Sequence, residues 1–301
     1  MGDITISESQ LRSQAKYYYA VLLLWPLYLF FLPVIFKQFG VLVIVYMIFP
    51  GIYLFTWAGF LMHESWHRYV PNINNNFFYN TFAYMILSDP QVYQLVHGYH
   101  HSQVHSYQDA EFHPLGELRN RPLRVINNLI EIVFGVAYLF AIASFVMLRD
   151  KRFFSKYRFW KLPISVFVWT VFLGTIGYLS HMVFGISPPQ IALSFALSLW
   201  LNSFFLHQSQ LIEHGNLIVE GNFEQRNLWT RNLTPSGIFE KAILLLTHND
   251  SREHVLHHTK TKLYLRPFPG KEPFPPAAKN ITLKDYAGVF VRMIIGAVDK
   301  Y

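Results

Sequence analysis

The stretch LPISVFVWTVFLGTIGYLSHMVFGISPPQIALSFALSLWLNSFFLHQSQLI, residues 162–212, runs 51 positions without an Asp, Glu, Lys or Arg. About 20 apolar residues suffice to cross a bilayer as a helix, so this run is long enough for two crossings. Ser187-Pro188-Pro189 interrupts it near the middle, where proline ends a helix. The run therefore reads as a transmembrane hairpin, with spans at about 162–186 and 190–212.

Two further uncharged runs lie upstream. Tyr17–Phe36 is 20 residues long and is flanked by Lys16 and Lys37. After a short turn at Gln38-Phe39-Gly40, Val41–Met62 runs 22 residues, interrupted only by Pro50-Gly51. Spans at about 17–36 and 41–62 follow. Composition agrees: only 14% of the 301 residues are charged, against about a quarter in soluble domains. The expected fold class is an all-α integral membrane protein with four transmembrane helices and a histidine-rich helical cap, forming one domain over residues 1–301. The N-terminal MGDITISESQLRSQAKYYY lacks the basic start of a signal peptide, so the first apolar run is expected to stay as an anchor. Ile6 stands where a myristoylation motif needs Ser or Thr.

Residues 125–148 are apolar but begin with Asn127, Asn128 and Glu131. Parity fixes their expected place. Histidine clusters occur before and after the hairpin, and a shared site requires them on one side of the membrane. The hairpin preserves the side, whereas one more crossing would reverse it. Residues 125–148 are thus expected to be interfacial or partly embedded. Under this topology only Lys37, among 25 Lys and Arg residues, falls opposite the histidines. The positive-inside rule makes the histidine side cytoplasmic. The net charge of +7 then reports orientation rather than nucleic-acid binding. A basic patch (Arg149, Lys151, Arg152, Lys156, Arg158, Lys161) and an amphipathic segment at 282–297 suit the membrane surface. The basic side would also suit an acidic electron carrier.

Eight of the 14 histidines fall in three short clusters. HESWH holds His63 and His67; HGYHH holds His97, His100 and His101; HVLHH holds His254, His257 and His258. Side chains at i, i+3 and i+4 share a helix face, so each cluster aims its rings at one spot. Imidazole is the commonest metal ligand and suits iron as well as zinc. The chain has no cysteine, so a metal must be held by nitrogen or oxygen. His214, in HQSQLIEHG at the end of the fourth span, is a ninth candidate ligand. His207, two turns deeper, reads as pocket lining or as a partner to a ligand. His181 belongs to the far interface, and His105, His113 and His248 read as ordinary polar residues. Asp109, Glu213 and Asp250 are candidate partners for the ligands' remaining N–H groups.

HESWH, HGYHH and HVLHH, in this order around paired spans, resemble the three histidine boxes of the integral-membrane fatty-acid desaturase and hydroxylase superfamily. LIEHG, and TRNL at 230–233, resemble pieces of its bacterial members, and the likeness covers about residues 41–260. The resemblance implies a non-haem centre of two iron ions that activates O2 and oxidises an unactivated C–H bond of a lipid chain. Its ligands would be His63, His67, His97, His100, His101, His254, His257 and His258, with His214 added. No catalytic residue is expected beyond these ligands. Partners would be a fatty-acyl or lipid substrate and a separate electron donor of ferredoxin, rubredoxin or cytochrome b5 type, because the chain carries neither a flavin-type GxGxxG nor a cytochrome domain.

Desaturation is the leading expectation. HxxxH in the first box is similar to acyl-lipid desaturases, whereas Glu213-His214-Gly215 is similar to alkane hydroxylases. Thr259-Lys260 follows the third box where an apolar residue, then often a proline, is usual. Hydroxylation and terminal-alkene-forming decarboxylation therefore stand as alternatives. HESWH also satisfies the HExxH zinc-protease motif with Glu64 as base, but that reading leaves both HxxHH clusters unused. A metal transporter would place polar ligands within the spans, and these spans have none at mid-membrane. The three N-x-S/T triplets at Asn232, Asn249 and Asn280 are expected to be unglycosylated.

Overall fold

The computed structural model describes residues 8–67, 73–147, 150, 153, 156–248, 250–259 and 279–301. In chain order the described helices are α1 (Glu8–Phe39), α2 (Val43–His67), α3 (Asn75–Met85), α4 (Pro90–Gln103), α5 (Arg121–Phe134), α6 (Val136–Met147), α7 (Lys161–Phe184) and α8 (Pro188–His214). Then come β1 (Leu217–Ile218), α9 (Phe223–Leu228), β2 (Arg231–Leu233), α10 (Ile238–Leu246), α11 (Asp250–Thr259), β3 (Lys279–Ile281), α12 (Leu283–Ile294) and β4 (Asp299–Lys300). Asn249 and three bases of the expected patch, Arg149, Lys151 and Arg152, lie outside the described residues.

Four of these helices are long and apolar enough to cross a membrane: Ala15–Phe39 within α1, and all of α2, α7 and α8. They match the four expected spans to within a few residues. The hairpin turn lies where the prolines place it. α7 ends at Gly185, whose left-handed φ of +62° closes the helix, and α8 opens on Pro188. Residues 125–148 form no single long helix. Gly135, with φ +58°, divides them into the 14-residue α5 and the 12-residue α6, each shorter than a span requires.

The chain clusters into two compact units, Met1–Gln91 with Arg158–Ser203, and Val92–Tyr157 with Phe204–Tyr301. In the first unit, aromatic residues of α1 knit the spans together. Tyr18 meets Phe78 of α3 edge-on at 5.2 Å, and Trp25 meets Phe55 of α2 at 5.6 Å. Trp25 Nε1 donates to Met85 O at 2.9 Å, and the Tyr28 hydroxyl pairs with Ser198 Oγ of α8 at 2.7 Å. Pro50 lacks an N–H and lies in a π-turn, Met47–Gly51, inside α2. A Cβ at Gly51 would stand 2.4 Å from the Tyr28 hydroxyl, so glycine admits that ring. On α7, Phe167, Tyr178, Met182 and Val183 face outward. In a bilayer such residues are solvated by lipid.

The second unit packs the last turns of α8 against short elements. Leu211 meets Ile132 of α5 and Val289 and Met293 of α12. Ile212 meets Leu233 of β2 and Leu244 of α10. α12 is started by a reciprocal cap between Thr282 and Asp285. It buries Val289 and Met293 and leaves Val291 exposed, as the amphipathic reading of 282–297 requires. Two parallel ladders, β1 with β4 and β2 with β3, tie the C-terminal segment to the loop after α8.

Candidate metal centre

α4 presents His97, His100 and His101 on one face, α11 presents His254, His257 and His258, and α8 ends on His214. All seven belong to the second unit. Their Nε2 atoms converge: His97 lies 2.9 Å from His101, and His257 3.1 Å from His101. His100 lies 3.3 Å from His258, and His214 2.9 Å from His254. One nitrogen each from His97, His101 and His257 lies within 4.8 Å of the others, and likewise from His100, His214 and His258.

In four of these rings, His97, His100, His214 and His258, the other nitrogen is held from outside. His97 Nδ1 donates to Glu111 Oε2 and His100 Nδ1 to Asp109 Oδ2, both at 2.9 Å. His258 Nδ1 donates to Asn227 Oδ1 at 3.2 Å, and the Asn227 amide is oriented by its own donation to Phe223 O. His105 Nδ1 donates to the carbonyl of Arg226 at 2.8 Å, which leaves Nε2 as the acceptor for His214 Nδ1 at 3.0 Å.

These contacts fix the chemistry of the inward face. A neutral imidazole has one N–H and one lone pair. With Nδ1–H committed outward, the Nε2 atoms of His97, His100, His214 and His258 turn lone pairs inward. Lone pairs 3.3 Å apart, as between His100 and His258, repel unless a cation or proton lies between them. Electrostatics keep three of the rings, His97, His254 and His258, available as neutral ligands. Burial lowers the pKa of His97, His254 and His258, with neighbouring histidines adding to the effect. Burial also opposes charge on His100, but Asp109 and Glu111 outweigh it, so its pKa is raised. Burial drives His105 down to about 3, so it stays neutral across the physiological range. Buried, carboxylate-backed imidazoles suit a divalent transition metal. The seven converging rings, two of them backed by carboxylates, exceed the three protein ligands of a catalytic zinc site.

Arg231 and Asn232, from the TRNL stretch, brace two of these elements. Buried Arg231 donates from Nη1 to the carbonyls of Gly215 at 2.9 Å and Ile212 at 3.5 Å, satisfying the C-terminal end of α8 behind His214. Asn232 Oδ1 accepts from Val255 N of α11 at 3.0 Å, and its amide donates to Asn280 at 3.2 Å. Two of the N-x-S/T triplets are therefore occupied in structural pairing.

His63 and His67 lie on the last turns of α2, in the first unit, with ring centres 4.8 Å apart. Glu64 is buried beside them in sequence. Of the other histidines, His207 is fully buried against Glu131 at 3.1 Å and Gln210 at 3.2 Å. His181 donates from Nδ1 to Ile186 O at the hairpin turn. Of the expected partners, Asp109 holds His100. Glu213 Oε2 lies 3.4 Å from His254 Nε2, and the Asp250 side chain lies outside the described residues. Glu111, Asn227 and the role of His105 escaped the sequence reading. His105 alone carried a signal, continuing the i, i+4 face from His101.

The family model for fatty acid desaturases matches residues 39–264, three-quarters of the chain. No curated protein and no solved structure matches.

Proposed function

The chain belongs to the fatty acid desaturase family, and on that premise we propose that it is a membrane-bound, O2-dependent enzyme that desaturates a fatty-acyl chain at a centre of two non-haem irons. Family membership itself makes it an oxidoreductase, and its four apolar helices make it a multi-pass membrane protein suited to a lipid substrate. The observation that carries the finer reading is the set of inward-facing Nε2 lone pairs on His97, His100, His214 and His258. Many neutral ligands around redox-active ions suit oxygen activation better than a single zinc ion does. The proposed ligands are His63, His67, His97, His100, His101, His214, His254, His257 and His258. The first two come from the sequence and the family pattern.

When bound, the irons supply the capacity to reduce dioxygen. Desaturation then balances as two hydrogens from neighbouring methylenes, two external electrons and two protons combining with O2 to give two waters and a carbon–carbon double bond. The chain's own residues hold the rings in one tautomer (Asp109, Glu111, His105 and Asn227 do this) and place them at the end of an apolar span. The electrons come from a separate acidic carrier approaching the basic cytoplasmic side. The whole chain acts as one domain.

Hydroxylation of the same C–H bond is the second reading, favoured by the likeness of Glu213-His214-Gly215 to alkane hydroxylases. Product analysis decides between them. Purified protein given O2, a reducing system and defined acyl lipids is expected to yield a double bond between two former methylenes of the acyl chain. A hydroxylated product would replace desaturation by the second reading, and no oxygen-dependent product from any acyl substrate would contradict both.

A further inference from the structure

Four rings of the centre, His97, His100, His214 and His258, meet their outer partners through Nδ1 and turn Nε2 inward. Glu213 departs from this pattern. Its Oε2 lies 3.4 Å from His254 Nε2, the same nitrogen that stands 2.9 Å from His214 Nε2. Its other oxygen, Oε1, accepts from Ser251 Oγ at 2.7 Å. The carboxylate and the nitrogens of His214 and His254 lie within 4.8 Å of one another, and all three residues are buried. The carboxylate thus faces the converging nitrogens rather than the back of a ring.

We propose that Glu213 is itself a metal ligand, a carboxylate donor added to the nine imidazoles, with Ser251 as the positioning residue that holds its second oxygen. This rests on the reading above that the centre holds two irons. Charge and number both favour it. With nine neutral donors, only Asp109 and Glu111 behind their rings offset the charge of two ferrous ions in a buried site, where uncompensated charge is costly. Nine donors also cannot divide evenly between two ions. A carboxylate on the ion that takes His214 and His254 supplies a negative charge and a tenth donor at once. Asp109 and Glu111 cannot serve this way, because each is engaged with the outer Nδ1 of its histidine.

The test is iron content and 57Fe Mössbauer spectra of the full chain in detergent, for wild type, Glu213→Gln and Ser251→Ala. The expected result is two irons in wild type, one iron lost in Glu213→Gln, and both irons kept in Ser251→Ala with altered quadrupole splitting at one. A Glu213→Cys variant loaded with Co(II) gives an independent readout if Glu213→Gln does not fold. Thiolate ligation produces an intense ultraviolet charge-transfer band, assignable without ambiguity because the chain has no cysteine of its own. Wild-type iron and an unchanged spectrum in Glu213→Gln, or a folded Glu213→Cys without the band, would overturn the proposal and leave the two-iron reading standing. Wild type without iron would overturn both.

Discussion

At the residue scale, His105 shows how an outer contact decides what an inner atom can do. Its donation to the Arg226 carbonyl leaves only an acceptor for His214, and His214 must then offer Nε2 to the centre. His105→Ala is expected to lower iron affinity by about 10–100-fold, the usual cost of losing a partner behind a ligand. His105→Gln, whose carbonyl can still accept, should recover part of that loss in the same metal-binding titration. Acid sensitivity follows from the same burial. His97, His105, His254 and His258 have folded pKa values below the ordinary 6.5. Below pH 6.5 the unfolded chain binds more protons at these sites, so the metal-free protein should lose stability as pH falls. For His105 that window extends down to about 3. His100, whose pKa is raised, contributes the opposite sign. Unfolding midpoints measured between pH 8 and 5 should therefore fall, and a flat profile would contradict this account. The clustered histidines were legible because i, i+3, i+4 spacing is a local signal. Glu111 and Asn227 were not, because they meet their histidines across 14 and 31 residues.

At the element scale, the C-terminal turn of α8 carries much of the arrangement. Gly215 follows His214, and a Cβ there would stand 2.5 Å from the Leu211 carbonyl oxygen. Because that atom is backbone, Gly215→Ala must shift the turn that places His214. The expected cost is about 1–3 kcal/mol of stability, read by thermal unfolding, with reduced iron content. Arg231→Met should act on the same turn by removing the donors to Ile212 and Gly215, although nearly isosteric in its stem. The four spans were legible from uncharged runs, while parity and a polar start gave an interfacial or partly embedded 125–148 without its division at Gly135. The π-turn at Met47–Gly51 and the β-ladders were not. Two- and three-residue strands are too short to show a period, and Pro50-Gly51 signals an interruption without its type.

At the scale of the whole molecule, orientation and metal content remain the quantities that define function. If the histidine side is cytoplasmic, Lys37 is the one base facing away. Because the chain lacks cysteine, Lys37→Cys and Lys300→Cys give single reporters in intact cells. An impermeant maleimide is expected to label the first and spare the second, and the reverse pattern would invert the topology. The charge asymmetry of the sequence carries this inference. The most direct test of the central claim is iron and zinc per chain in purified wild type, set against a His100→Ala, His257→Ala variant. Two irons per chain, lost in the variant, are predicted. One zinc per chain, kept in that variant but lost in His63→Ala, would contradict the two-iron oxygen chemistry and return the HESWH motif to a protease.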